Sequence, residues 1–125
     1  MGSVAVRYIV NDVDAAVEFY QQILGFTIDM RPGPGFAAMS KDGLRLLLNE
    51  PGVGGAGIAG GEGPQPGGWN RIQLQVVDLP SEVERLGKLG ARFRGDTVEG
   101  RGGRQILLED PAGNPIELFE PYPER

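Results

Sequence analysis

The chain has 125 residues, a formal net charge of −5 at pH 7 and an ordinary globular composition, with 40% hydrophobic and 23% charged residues. Its length suits one compact domain, and its acidity without a basic patch argues against nucleic acid as a partner while tolerating a cationic ligand. It contains neither histidine nor cysteine, which excludes disulfides and the usual zinc, copper and non-haem iron sites and leaves only all-oxygen metal sites.

The first half of the chain predicts a strand, a helix and three further strands. An alternating run leads to Asp12, a residue suited to capping a helix, and an amphipathic helix follows. The helix is expected to stop at Leu24-Gly25, where glycine supplies the helix-ending conformation. Short strand-like runs then cover residues 27–30, 35–40 and 44–49, separated by the turn signals RPGPG and KDG.

A glycine- and proline-rich segment follows the first half. Twelve of the eighteen residues from 51 to 68 are glycine or proline, which predicts a flexible linker. A phosphate-binding loop is the alternative, but no Lys-Ser or Lys-Thr follows and no helix begins there. The segment is therefore interpreted as a linker between two halves.

The second half repeats the first. Residues 71–93 match residues 4–26, with Asp78 standing 66 positions after Asp12 and Gly90 standing 65 after Gly25. Three strand-like runs again follow the helix, at residues 92–94, 104–109 and 115–120, and DPAGN predicts a tight turn before the last. A near-constant offset of this kind indicates an internal duplication of one strand-helix-three-strand unit.

Three stretches resemble the vicinal oxygen chelate superfamily of the glyoxalase/bleomycin-resistance type. They are VNDVDAAVEFYQQILGF, WNRIQLQVVDLPSEVERL and the closing GGRQILLEDPAGNPIELFEP. The resemblance implies an α+β fold in which two tandem βαβββ modules form cup-shaped mixed sheets. It also implies one domain over residues 1–125, with a first module at about 3–50, a second at about 69–122, and a homodimer as the assembly.

Members of this superfamily commonly hold a divalent metal with two ligands from each module. Carried over by position, the ligand sites fall on Ala5, Leu47, Arg71 and Glu117. Only Glu117 can ligate, because two of the others are apolar and an arginine is a permanent cation. Arg71 and Glu117 are instead expected to form a salt bridge, and no metal or other cofactor is expected.

Strand alternation predicts which side chains share a face with these positions. Arg71, Gln73 and Gln75 point one way, and Glu117 shares a face with Phe119. The candidate ligand contacts are Ala5, Phe36, Met39, Leu47, Trp69, Arg71, Gln73, Glu117 and Phe119. Plain core packing is the alternative for the apolar members, and the pattern does not decide whether Arg104 or Gln105 faces the site.

Two functions fit these residues. The first is a metal-free binding protein that sequesters a planar or cationic natural product against Trp69, as the resemblance to bleomycin-resistance proteins implies. The alternative is a metal-independent isomerase, epimerase or lyase, with Glu117 as the general base and Arg71 stabilising an anion. The neighbouring cation works against the base role because it stabilises the ionised carboxylate. Metal-dependent glyoxalase or dioxygenase activity is disfavoured by the ligand chemistry.

The sequence also carries an expectation about location. No apolar run approaches the roughly 20 residues that span a bilayer, and no basic stretch followed by an apolar run is visible near the first residue. The absence of cysteine is compatible with a reducing compartment. We therefore expect a cytoplasmic protein with a small-molecule ligand and neither a membrane nor a nucleic acid as partner.

Overall fold

The computed structural model describes residues 4–53 and 63–123, which fall into two units. The first unit holds the described residues up to Gly67 together with Pro111–Asn114. The second holds Gly68–Asp110 and the described residues from Pro115 onward. Residues 54–62 of the expected linker lie outside the described residues.

The first unit is a four-stranded mixed sheet covered by one helical segment. Its elements are β1 (Ala5–Ile9), α1 (Val13–Glu18), a π-helical turn (Phe19–Ile23), β2 (Thr27–Gly33), β3 (Phe36–Lys41) and β4 (Leu44–Asn49). The strand order is β1-β4-β3-β2, with β1 parallel to β4 and the other neighbours antiparallel. These elements form the strand-helix-three-strand unit that the sequence predicts.

The helical segment of the first unit differs from the expected single α-helix. The α-helix gives way at Phe19 to a π-helical turn, which buries Phe19 and Tyr20. The Tyr20 ring meets the rings of Phe19 and Phe26 edge-to-face, with centroids 5.2 and 5.4 Å apart. Packing of these three rings accounts for the local departure from the α-helical period.

The second unit repeats this plan with a small addition. Its elements are β5 (Ile72–Gln75), α2 (Leu79–Lys88), β6 (Arg92–Phe93), β7 (Val98–Glu99), β8 (Gly103–Glu109) and β9 (Pro115–Pro121). The strand order is β5-β9-β8-β6, with β5 parallel to β9, and β7 also pairs with β8. The short strand β7 was not predicted, and β5 begins at Ile72, one residue after the expected Arg71.

Each helix begins at the predicted aspartate. The carboxylates of Asp12 and Asp78 each accept a hydrogen bond of 3.2 Å from the backbone N–H three residues further on. A glutamate from each sheet also accepts a hydrogen bond from the first N–H of the helix in its own unit. Glu50, which follows β4, accepts at 3.0 Å, and Glu120, near the end of β9, accepts at 2.7 Å. The predicted caps are confirmed, and each helix start is held by two carboxylates.

Each sheet has a helix face and a second face, which we call the distal face. The strand registers confirm the predicted alternation, and the helix faces carry the buried core of each unit. The distal face of the first sheet holds Ala5, Arg7, Ile9, Phe36, Ala38, Ser40, Arg45, Leu47 and Asn49. The distal face of the second holds Gln73, Gln75, Gln105, Leu107, Glu109, Glu117 and Phe119. No helix among residues 4–53 and 63–123 is long and apolar enough to cross a membrane.

Candidate functional site

A hydrogen-bonded group of three polar side chains occupies the distal face of the second sheet. Oε1 of Glu117 lies 3.0 Å from both Nε and Nη2 of Arg71, and Oε2 accepts a bond of 2.7 Å from Nε2 of Gln73. Glu117 is 7% exposed, whereas the Arg71 side chain is 29% exposed. The predicted salt bridge is confirmed, and both oxygens of the carboxylate are engaged.

Trp69 lies just before β5 and is 67% exposed, yet it is held from two sides. The Arg94 guanidinium lies over the indole ring, 4.7 Å from its centroid, and Nη1 of Arg94 donates to the carbonyl of Gly68 at 2.8 Å. Nη1 of Arg71 donates to the carbonyl of Trp69 at 3.2 Å. An exposed indole is thus fixed by two arginines, one through its ring and one through its backbone.

The sequence reasoning missed Arg94 and its carboxylate partner. Nε of Arg94 donates to Oε2 of Glu109 at 2.9 Å, while Nη2 of Arg92 lies 4.0 Å from the other oxygen. Alternation from Arg92 places Arg94 on the same face, so a signal existed. The missing information was the register, which sets Arg92 opposite Glu109.

The strand register also shows which of Arg104 and Gln105 faces the site. Gln105 lies opposite Phe119 and therefore points to the distal face. Arg104 lies opposite Glu120 on the helix face, and its Nη2 is 3.2 Å from both carboxylate oxygens. On the distal face, the ring of Phe119 packs closely against Gly103.

The candidates in the first unit divide between the two faces of its sheet. Ala5, Leu47 and Phe36 lie on the distal face, as predicted. Met39 does not join them, because it lies opposite Leu46 on the helix face and is fully buried. Phe36 and Met39 are three positions apart on one strand, and an odd spacing places side chains on opposite faces. The structure therefore assigns Met39 to the core of the first unit.

These two sheets, each with its first strand parallel to its last, match a known family. The model of the glyoxalase-like domain family matches residues 3–119. The chain belongs to the glyoxalase-like domain family. Among curated protein sequences, none matches it at a significant level.

Several solved structures share the fold, among them one described as a member of the glyoxalase/bleomycin resistance protein/dioxygenase superfamily. A superfamily member from Sphaerobacter thermophilus has 26% identity and a TM-score of 0.76, with 96% of this chain and 97% of that one covered. TnmS3, an antibiotic binding protein from Streptomyces sp. CB03234, has 22% identity and a TM-score of 0.71, with 98% and 97% covered. FosX, a fosfomycin resistance protein from Listeria monocytogenes, has 21% identity and a TM-score of 0.70, with 100% and 94% covered.

The residues of this glyoxalase-like chain do not fit the divalent metal that the superfamily commonly holds. The four carried-over positions supply one carboxylate, Glu117, and its two oxygens already accept from Arg71 and Gln73. A guanidinium cannot ligate and repels a cation. Within residues 4–53 and 63–123, no group of three or more His, Cys, Asp or Glu side chains is placed to hold an ion.

Proposed function

We propose that this chain is a metal-independent small-molecule-binding protein that sequesters a planar ligand on Trp69. The observation that carries the proposal is an indole that is two-thirds exposed yet held in place by Arg94 and Arg71. An aromatic pair contributes about 0.5–1.5 kcal/mol beyond the area it buries. Fixing the indole in advance reduces the ordering cost of binding.

The two arginines that contact Trp69 are each held by a carboxylate. Arg71 is held by Glu117 and Arg94 by Glu109, at 3.0 and 2.9 Å. Each arginine therefore contacts both a carboxylate and a backbone carbonyl of the segment that carries the indole. These contacts favour a binding surface that is formed before the ligand binds over a loop that becomes ordered only on binding.

The charges near Trp69 bear on the kind of ligand. The net charge of −5 suggests a cation, but Arg94 already covers one face of the indole. Three arginines stand beside two carboxylates on this face, namely Arg71, Arg92 and Arg94 beside Glu109 and Glu117. We therefore propose planarity, without a positive charge, as the property that the site selects.

Related structures agree with ligand binding as the role. One structural neighbour is described as an antibiotic binding protein and another as a fosfomycin resistance protein. By analogy, we propose a planar natural product with antibiotic activity as the ligand class and sequestration as the mode of action. We also propose a homodimer, as the resemblance to the superfamily implies, which sedimentation velocity would test, and a cytoplasmic location, which cell fractionation would test.

The alternative function is a metal-independent isomerase, epimerase or lyase with Glu117 as the base. A general base needs a carboxylate oxygen directed at the substrate proton. In this structure the two oxygens of Glu117 accept from Arg71 and Gln73, and the group is almost fully buried. The geometry therefore supports a structural role for Glu117 and favours binding over catalysis.

A titration of planar antibiotics tests the proposal. Trp69 is the only tryptophan, so quenching of its fluorescence reports binding directly. We expect saturable quenching by at least one compound, recovery of that compound unchanged by mass spectrometry, and weaker binding by calorimetry in Trp69→Ala. Trp69→Phe, the matched control, should retain most of the affinity. Equal calorimetric affinity in wild type and Trp69→Ala would contradict the proposal.

The same compounds distinguish binding from catalysis. Turnover that disappears in Glu117→Gln would support the enzymatic alternative instead. Proton–deuterium exchange into 2-keto acids is a sensitive readout, because an epimerase must remove a proton beside a carbonyl. Equal exchange in wild type and Glu117→Gln would remove Glu117 as the base.

A further inference from the structure

Two arginines lie side by side on the distal face of the first sheet. Arg7 belongs to β1 and Arg45 to β4, and these strands are parallel neighbours. The register pairs Ala5 with Arg45 and Arg7 with Leu47, so the two arginines are diagonal neighbours on one face. Diagonal positions of this kind lie roughly 7–8 Å apart in a sheet, within reach of two long side chains.

Arg7 is positioned by a neutral group. Its Nε donates to Oδ1 of Asn49 at 2.9 Å, and Nδ2 of Asn49 donates to the carbonyl of Val53 at 3.0 Å. Asn49 is fully buried, so its amide is fixed with the oxygen toward Arg7. Among residues 4–53 and 63–123, no carboxylate forms a salt bridge with Arg7, and its terminal nitrogens have no hydrogen-bond partner.

Arg45 has no partner at all within the described part of the chain, although it lies on an inner strand and is half-buried. Ser40, the residue opposite Arg45 on β3, donates its Oγ–H to Asp29 at 2.9 Å. By contrast, Arg31, Arg71, Arg85, Arg92, Arg94 and Arg104 each have an acidic partner. Of the nine described arginines, three therefore lack an acidic partner, and Arg7 and Arg45 differ from the third, the exposed Arg101, in lying within a sheet.

This arrangement costs stability unless something compensates. Like charges on neighbouring strands repel each other, and partial burial of an unpaired cation adds a desolvation cost. An oxyanion between the two guanidiniums removes both costs and gains charge-assisted hydrogen bonds. The surroundings add an apolar surface, since Leu47 and Phe36 are half-buried on the same face.

We propose that Arg7 and Arg45 form a binding site for the oxyanion of an organic acid, whose apolar body lies on Leu47 and Phe36. The guanidinium of Arg7, oriented by Asn49, supplies directed donors, and Arg45 supplies the second positive charge. The site lies on the first sheet and goes beyond the proposed function of the second, because neither Trp69 nor its supports take part in it.

Three matched compounds without an aromatic ring test this site. They are cyclohexanecarboxylate, cyclohexylmethanol and cyclohexylmethylammonium, which share a body and differ in charge. We expect the carboxylate to bind at least tenfold more tightly than the other two by calorimetry. Its titration should shift the Nε–H signals of Arg7 and Arg45 saturably in nitrogen-15 spectra, while the exposed Arg101 stays unshifted. Equal affinity for the three compounds, or parallel non-saturating shifts of all arginines, would overturn the site.

Variants separate this site from a general effect of charge. Arg7→Gln and Arg45→Gln should each weaken carboxylate binding about tenfold, whereas Arg101→Gln should leave it unchanged. Arg45→Lys should restore most of the affinity lost in Arg45→Gln, and circular dichroism would check that each variant is folded. Trp69→Ala should bind the carboxylate as wild type does. Loss of binding in Trp69→Ala with retention in Arg7→Gln would assign the acid to the second sheet and refute this site alone.

Discussion

The two units keep the same helix starts but differ on their distal faces. In each unit an aspartate caps the helix and a glutamate from the closing part of the sheet accepts its first N–H, as Asp12 with Glu50 and Asp78 with Glu120 show. These contacts place the helix against the sheet in both units. The duplication has therefore preserved the interactions that build the scaffold.

The distal faces have diverged at corresponding positions. Leu47 lies opposite Arg7 in the first sheet, and Glu117 lies opposite Gln73 in the second. On the distal face of the second sheet Arg71 and Arg94 are paired with carboxylates, whereas Arg7 and Arg45 on that of the first have no acidic partner among the described residues. The comparison indicates that the polar and charged side chains of the distal face changed while the parallel pairing of the first and last strands stayed constant.

The largest effect is expected at Gly103 on β8, where the backbone of β9 and the ring of Phe119 leave no room for a Cβ. A Cβ at Gly103 would lie 2.2 Å from the carbonyl oxygen of Glu120 and 2.9 Å from Cζ of Phe119. Because backbone atoms cannot yield, Gly103→Ala should lower the free energy of unfolding by about 3 kcal/mol. Urea denaturation monitored by circular dichroism measures this.

A glycine of the first sheet provides the control for that substitution. No atom lies within 4 Å of a Cβ built at Gly33 on β2, so Gly33→Ala should change the free energy of unfolding by less than about 0.5 kcal/mol. Similar losses of unfolding free energy in Gly103→Ala and Gly33→Ala would show that the close contacts at Gly103 are not the cause of the loss.

A smaller loss of stability is expected when Arg71 of the ion pair is replaced by alanine, the residue at the corresponding position of the first unit, Ala5. Arg71→Ala leaves the buried Glu117 with Gln73 as its remaining partner, and should cost about 2 kcal/mol. This is below the loss of about 3–5 kcal/mol typical of fully buried pairs, because Arg71 is partly exposed.

The double variant Arg71→Ala with Glu117→Leu reproduces the residues Ala5 and Leu47 of the first unit. Removing both charges together should cost about 1–2 kcal/mol less than the sum of the two single losses. If urea denaturation shows that the loss in the double variant equals the sum of the two single losses, the interaction between Arg71 and Glu117 contributes nothing to the free energy of unfolding. The two faces would then differ in residue type only.

The order of the elements was predictable because it depends on local signals that occur twice. Asp12 and Asp78 mark the helix starts, and the alternation of apolar residues marks most strands. Strand β7 was missed because two residues carry no periodicity and its pairing with β8 is non-local. The π-helical turn was missed because five residues do not distinguish its period from that of an α-helix.

The site was predictable only in part, for a related reason. Alternation places Arg71 and Glu117 on known faces, so their salt bridge followed from the resemblance and was confirmed. The contact between Arg94 and Trp69 joins residues 25 positions apart, with β5, α2 and β6 between them, and no motif specifies it. For Met39 the alternative of core packing holds, because residue type alone does not show which face of β3 a side chain occupies and alternation from Phe36 does.

The smallest effect concerns acid stability at the start of α2. The side-chain hydrogen bond from Ser81 lowers the pKa of Asp78, and the backbone N–H of Leu79 together with Arg104 lowers the pKa of Glu120. Carboxyl groups with a depressed pKa stabilise the folded state above their unfolded values, near 3.8 and 4.5. That contribution is lost as the pH falls through the lower folded values.

Wild type should therefore lose stability as the pH falls below about 4.5, through protonation of these two groups in the folded state. Asp78→Asn and Glu120→Gln should be less stable than wild type at pH 7, and the difference should shrink toward pH 3. Asp96→Asn, in the exposed segment between β6 and β7, is the control and should follow the wild-type profile. Melting temperatures between pH 3 and pH 7 measure this, and a difference that stays constant with pH would show that the hydrogen bonds at the start of α2 do not depend on ionised carboxylates.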